Sequence, residues 1–249
     1  MLGKLLKYEF FALARVMLPV YAGAILLSLL THVIGLGGLY DIPAFAGTAI
    51  FFSMISMFGI FGLIVLTFIF IIQRFYLNFF RDQGYLTHTL PVSVNTLIWS
   101  KLIAAFCWSA ATVIVIFISI FLMASGFAPD YFFSYGFDVA QDAFYITGFS
   151  ALLSFLHLIV AGFSGTLMVY AALSIGQLVS RMKILLAVGV YFGMSFALSM
   201  ISAPITFALM WDSGSFGSYQ VFNLLFSLAQ GIGFYFITRG ILKHKLNLE

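Results

Sequence analysis

Residues 47–73 read GTAIFFSMISMFGIFGLIVLTFIFIIQ, without one charged side chain. At 1.5 Å per residue this run makes about 40 Å of helix, more than the ~30 Å hydrocarbon core of a bilayer requires. It has no polar face to turn toward water, so the helix belongs inside lipid or a large core. Working outward, apolar runs of spanning length recur at about 16–37, 102–125, 146–179, 184–209 and 221–238. The expected fold is an all-α integral membrane protein with six transmembrane helices in a single domain, 1–249.

Composition supports that expectation. The chain is 63% hydrophobic and 8% charged, where a soluble domain carries about 25% charge. So little charge cannot cover a soluble particle of 249 residues. Disorder, a secreted disulfide scaffold and a soluble nucleic-acid binder are excluded, and no nucleic-acid partner is expected. The single cysteine, Cys107, lies in an apolar run, which leaves no disulfide framework and no cysteine-based metal site.

The ends and connections carry the polar residues. Residues 1–14, MLGKLLKYEFFALA, place Leu2, Leu5, Leu6, Phe10 and Leu13 at helical spacing with Lys4 and Lys7 between them. That pattern predicts an amphipathic helix at the membrane interface. A cleaved signal peptide would share the basic start, but the apolar run continues to full spanning length and no small-residue cleavage site ends it. Gly35, Gly37 and Gly38 close the first span. The fourth apolar segment falls within 144–179, and ~35 residues exceed the core thickness. It is expected to tilt strongly or to begin as a separate helix outside.

The basic residues fix an orientation. Lys4, Lys7 and Arg15 precede the first span. Arg74, Arg81 and Lys101 lie between the second and third, Arg181 and Lys183 between the fourth and fifth, and Arg239, Lys243 and Lys245 after the sixth. These are all of the 11 Lys and Arg residues, and with six spans every one falls on one side. The positive-inside rule then predicts both termini in the cytoplasm, in a cytoplasmic-membrane protein whose outer solvent is the lipid bilayer.

The spans are almost bare of ionisable groups. His32 lies near the outer end of the first, and His157 is the ionisable residue well inside one. Ion-coupled transporters keep such groups in their spans, because the coupling ion needs a ligand there. The bareness argues against an ion channel, an antiporter and a haem or redox carrier. His157 reads as a hydrogen-bonded packing residue, and Gln177 and Gln230 as bonds across helices.

Gly162-Phe163-Ser164-Gly165 matches the GxSG of rhomboid intramembrane proteases. That family places its histidine base on the sixth span, where this chain has none. His157 lies about 10 Å along the same helix from Ser164, so the serine lacks a base. Gly162 and Gly165 instead read as a helix contact, and Gly189 and Gly193 as a second, either within the chain or between two copies. No catalytic residue, cofactor or metal site is expected in this chain.

Residues 74–101, RFYLNFFRDQGYLTHTLPVSVNTLIWSK, form the most polar long stretch. Residues 74–81 extend the second span, and Gly84 suits a C-cap. Ser93 suits an N-cap for the helix that enters the third span. An ordinary connector would explain the glycine and proline. It gives little reason to carry Tyr85, Leu86, Leu90 and Val92 into water, which predicts a docking surface.

The segment Asp82-Gln83-Gly84-Tyr85-Leu86-Thr87-His88-Thr89-Leu90-Pro91-Val92-Ser93, followed by Leu97 and Ser100-Lys101-Leu102, resembles the loop of bacterial ATP-binding-cassette (ABC) exporter permeases of the type-2 class. Members from Gram-positive bacteria often read DEGYLxxTLPVS…LLxSKL there. The opening Leu5-Leu6-Lys7-Tyr8-Glu9-Phe10 and the closing Leu242 to Leu248 are similar to the family's ends. The resemblance implies that Arg81, Asp82, Gln83, Gly84, Tyr85, Leu86, Thr87, His88, Thr89, Leu90 and Pro91 form the coupling element seated in a separate ATPase subunit. Gln83 departs from the family's acidic residue, which puts one polar contact in doubt. The outer segment before the sixth span is short, about 210–220.

The chain has no GxxxxGK[ST] phosphate loop. The resemblance therefore implies ATP and Mg on the partner, two ATPase copies, and a second permease chain in a homo- or heterodimer. The function implied is export of a substrate that composition leaves open. Two other readings share the loop: a non-transporting membrane scaffold, and the transmembrane subunit of an ATP-driven uptake system.

Overall fold

A computed structural model describes residues 2–36, 42–80, 93–127, 148–179, 182–211 and 216–244. It has six helices: α1 (Leu2–Leu36), α2 (Pro43–Phe80), α3 (Val94–Phe127), α4 (Gly148–Gly176), α5 (Lys183–Trp211) and α6 (Phe216–His244). Each is long and apolar enough to cross a membrane. No strand occurs among the described residues. The chain fits a multi-pass membrane protein with an all-α fold.

The helices overrun the apolar windows that predicted them. α2 continues past Gln73 to Phe80, and α3 begins at Val94 rather than near Leu102. The lysine-bearing start is continuous with the first span, because α1 runs unbroken from Leu2 to Leu36 through Pro19. Nothing between Leu13 and Val16 stops a helix, since Ala14 and Arg15 are both good helix formers. Within the described residues the fourth span is one helix that stops at Gly176 and turns at Gln177–Val179.

Two compact units divide the chain. One comprises Lys7–Ile71 and Cys107–Ile146, the other Met1–Leu6, Ile72–Phe106 and Thr147–Glu249. In the first, α1 and α3 run in the same direction, because Tyr21 meets Trp108 and Thr112 while His32 meets Leu122 and Ser125. Their closest approach is at two glycines. A Cβ on Gly35 would stand 2.6 Å from the Gly126 backbone, and one on Gly126 would stand 2.7 Å from the His32 backbone. Small residues allow such contact in a membrane, where packing rather than the hydrophobic effect holds helices together.

Hydroxyls tie the same unit across its helices. The Tyr21 hydroxyl lies 2.8 Å from Thr112 Oγ1, which lies 3.0 Å from Thr67 Oγ1, and Thr67 donates to the Leu63 carbonyl at 2.7 Å. The Trp108 carbonyl accepts from both the Tyr21 and Thr112 hydroxyls, at 3.0 and 2.9 Å, so the network from α1 through α3 to α2 ends on two carbonyls. A second node pairs Thr31 Oγ1 with Ser56 Oγ at 2.6 Å. In lipid each such group needs a partner within the protein.

In the second unit α4 packs on both α5 and α6, more extensively on α6. α4 and α6 run in the same direction, as the pairs Ser154–Gln220, His157–Ser227 and Ser164–Gly231 require. Large apolar side chains point away from both cores: Phe58 is 74% exposed, Phe117 69% and Phe196 66%. On a soluble protein so much exposed phenylalanine would drive aggregation. In a bilayer these side chains meet lipid.

Candidate functional site

The sequence-predicted docking residues, Arg81 to Pro91, lie outside the described residues. What the structure describes is the base from which that segment departs, built from the end of α2, the start of α3 and the end of α4.

Phe75 and Phe79 sit one helical turn apart on α2, so both project from one face. They are 1% and 0% exposed. Phe75 stacks on Tyr170 of α4 with ring centroids 3.9 Å apart and planes 9° from parallel. Phe79 lies 4.8 Å from Phe75. Tyr170 donates to the Lys101 carbonyl of α3 at 3.3 Å, and the Lys101 ammonium stands 5.4 Å from the Phe79 ring centre. One aromatic cluster thus joins three helices where the segment leaves α2 and returns at α3. Lys101, expected to mark where the helix meets the membrane, is buried in this cluster. A cation against an aromatic face is stabilised by the ring quadrupole, and more so when desolvated.

Ser93 begins α3 as predicted. Its Oγ accepts the Thr96 backbone N–H at 3.3 Å, and its carbonyl accepts from Leu97. That is the N-cap geometry, which satisfies a donor the first helical turn leaves open.

Of the predicted contact glycines, Gly162 makes a close approach to another helix, and the other three meet no described neighbour. A Cβ on Gly165, Gly189 or Gly193 would meet nothing within 4 Å among the described residues, and one on Gly162 would stand 3.0 Å from the Phe106 ring of α3. The tight backbone contact in this unit is at Gly176, against Ala187 and the Lys183 carbonyl, while a Cβ on Gly231 would make ordinary contact with Ser164 at 3.5 Å. So α6 supplies the small residue at the level of the GxSG stretch. His157 Nε2 hydrogen-bonds Ser227 on α6 at 3.1 Å, so its described partner is Ser227, across the helices.

Gln220 carries the amide bond across helices, donating to Ser154 Oγ at 2.7 Å. Gln177 and Gln230, expected in that role, make no side-chain hydrogen bond to another described residue. Residue type alone could not separate the three glutamines. His32 accounts for the remaining polar group near a span end. Its Nδ1 lies 2.9 Å from the Leu122 carbonyl, so that nitrogen carries the proton.

A cavity of about 350 Å³ opens between α3, α4 and α6. Trp99, Phe163, Leu228 and Tyr235 line it, with the hydroxyls of Ser164 and Ser227. No group of three or more His, Cys, Asp and Glu side chains gathers among the described residues. No family model, curated protein or solved structure matches the chain.

Proposed function

We propose that the chain is the membrane-spanning permease subunit of an ABC exporter, driven by ATP hydrolysed on a separate subunit. The observation that carries the reading is the stretch Asp82 to Ser93, with its resemblance to the coupling loop of type-2 exporter permeases. Three features support it. Six spans put all eleven basic residues on one side, which the positive-inside rule assigns to the cytoplasm. The spans lack the ionisable groups an ion-driven carrier uses. The segment springs from a base of buried aromatics, Phe75, Phe79 and Tyr170, stiff enough to pass a push into α3 and α4.

The mechanism follows from that arrangement. Closure of two ATPases moves the Asp82–Pro91 elements. Helices capped and stacked at their ends move with them as units, because packed helices shift between discrete arrangements rather than bending continuously. Two copies of a six-span chain then alternate access to a path between them.

Site-directed crosslinking tests the proposal. With Cys107→Ser as background, Gln83→Cys is treated in native membranes with a short thiol-to-amine crosslinker. The expected product contains a peptide with a GxxxxGK phosphate loop. Crosslinks to proteins without that motif would favour the scaffold reading instead.

A further inference from the structure

The cavity between α3, α4 and α6 has a calibre that selects its occupant. Along α6 its lining runs from Ser227 to Phe236, about 13 Å of helix. Spread over that length, 350 Å³ of room for the centres of water-sized molecules gives a mean width of about 9 Å between walls once a radius of ~1.4 Å is added on each side, while a helix with its side chains is 10–12 Å across. The groove is too narrow for a helix of a partner chain. It is also unsuited to water. Its lining is apolar except for two hydroxyls; Ser227 is engaged with His157, and Ser164 is buried against Gly231. Apolar cavities of this kind stay dry and take apolar ligands.

One end of the groove is chemically distinct. Trp99 and Tyr235 stand there with ring centroids 6.0 Å apart. Paired Trp and Tyr mark the level at which hydrocarbon gives way to headgroups. One turn further along α6, on the face of Tyr235, is Arg239, half-buried and without a hydrogen-bond or ion-pair partner among the described residues. A half-buried cation at that level calls for an anion. We propose that the groove holds one acyl chain of an anionic bilayer lipid, with the lipid phosphate at Arg239.

Trp99 reports on the groove directly. The chain has three tryptophans, and Trp108→Phe with Trp211→Phe leaves Trp99 as the fluorophore. Trp108 Nε1 has no hydrogen-bond partner among the described residues, so its replacement by Phe removes no described bond. The protein is reconstituted in phosphatidylcholine vesicles containing a small fraction of dibrominated phosphatidylglycerol, or of dibrominated phosphatidylcholine. Brominated phosphatidylglycerol is expected to quench Trp99 well beyond its bulk fraction. Arg239→Gln is expected to lower the preference for the anionic lipid about five-fold, the change produced by ~1 kcal/mol per basic residue at an anionic surface. Val160→Phe with Leu228→Phe fills the groove and is expected to return quenching to the bulk value. Quenching that follows bulk composition in the Trp99-only protein overturns the proposal, as does excess quenching that survives the filled groove. Equal excess for the two lipids overturns the assignment of an anionic headgroup.

Discussion

Gly126→Ala tests whether α1 and α3 are held by backbone contact. The added Cβ would lie 2.7 Å from the His32 Cα and carbonyl oxygen. Ordinary carbon contacts begin near 3.5 Å, so the helices must part by about 0.8 Å at this level. The obstructing atoms are backbone and cannot rotate away. The His32 Nδ1 to Leu122 carbonyl bond, now 2.9 Å, would stretch to about 3.7 Å, beyond hydrogen-bonding range. Overpacking costs about 1–3 kcal/mol, and an interhelical hydrogen bond in a membrane adds about 0.6. The sum is about 2–4 kcal/mol, against a gain of up to ~1 kcal/mol from alanine's helix propensity. Reversible unfolding in mixed micelles of mild detergent and dodecyl sulfate would measure it. Gly189→Ala is the control, because its Cβ meets nothing and only the propensity gain remains. Equal stability of the two variants would refute the close approach of α1 and α3.

Other substitutions follow from the same geometry. Phe75→Ala removes a ring stacked on Tyr170 and is expected to destabilise by about 3 kcal/mol, the low end for buried Phe→Ala, measured in the same micelles. Ser164→Ala is expected to preserve stability within ~0.5 kcal/mol and to leave function intact; loss of function at normal expression would reopen the protease reading. In a Cys107→Ser background, Asp138→Cys in right-side-out vesicles is expected to react with a membrane-impermeant maleimide while Gln83→Cys is protected. The reverse pattern would invert the orientation read from the basic residues.

The spans were legible because charge-free runs such as 47–73 recur six times in a chain with only 8% charge, too little to cover a soluble particle around a core. The α3 cap was legible because Ser93 stands just ahead of a helical run and needs no distant partner. Tertiary contacts were not. Gly35 reads as a helix stop, and α1 does end at Leu36, but the sequence did not show that it also admits Gly126, a residue far along the chain. Gly189 and Gly193 have the spacing of a contact motif but meet no neighbour among the described residues, since spacing records small size and not what lies opposite. Phe75 and Phe79 share a visible face, but their partner Tyr170 comes from two helices later. The groove lined by Trp99 and Tyr235 depends on the α4–α6 pairing and has no linear signature.

The proposed permease role rests on a partner that hydrolyses ATP at the segment Asp82–Pro91. A tagged chain drawn from native membranes in mild detergent, with ATPase activity assayed on the eluate, tests that claim directly. The account predicts an ATPase that co-elutes with the unaltered chain and is lost from a Leu90→Asp variant that still inserts. A chain that elutes without ATPase activity, or a Leu90→Asp variant that retains it, would contradict the account.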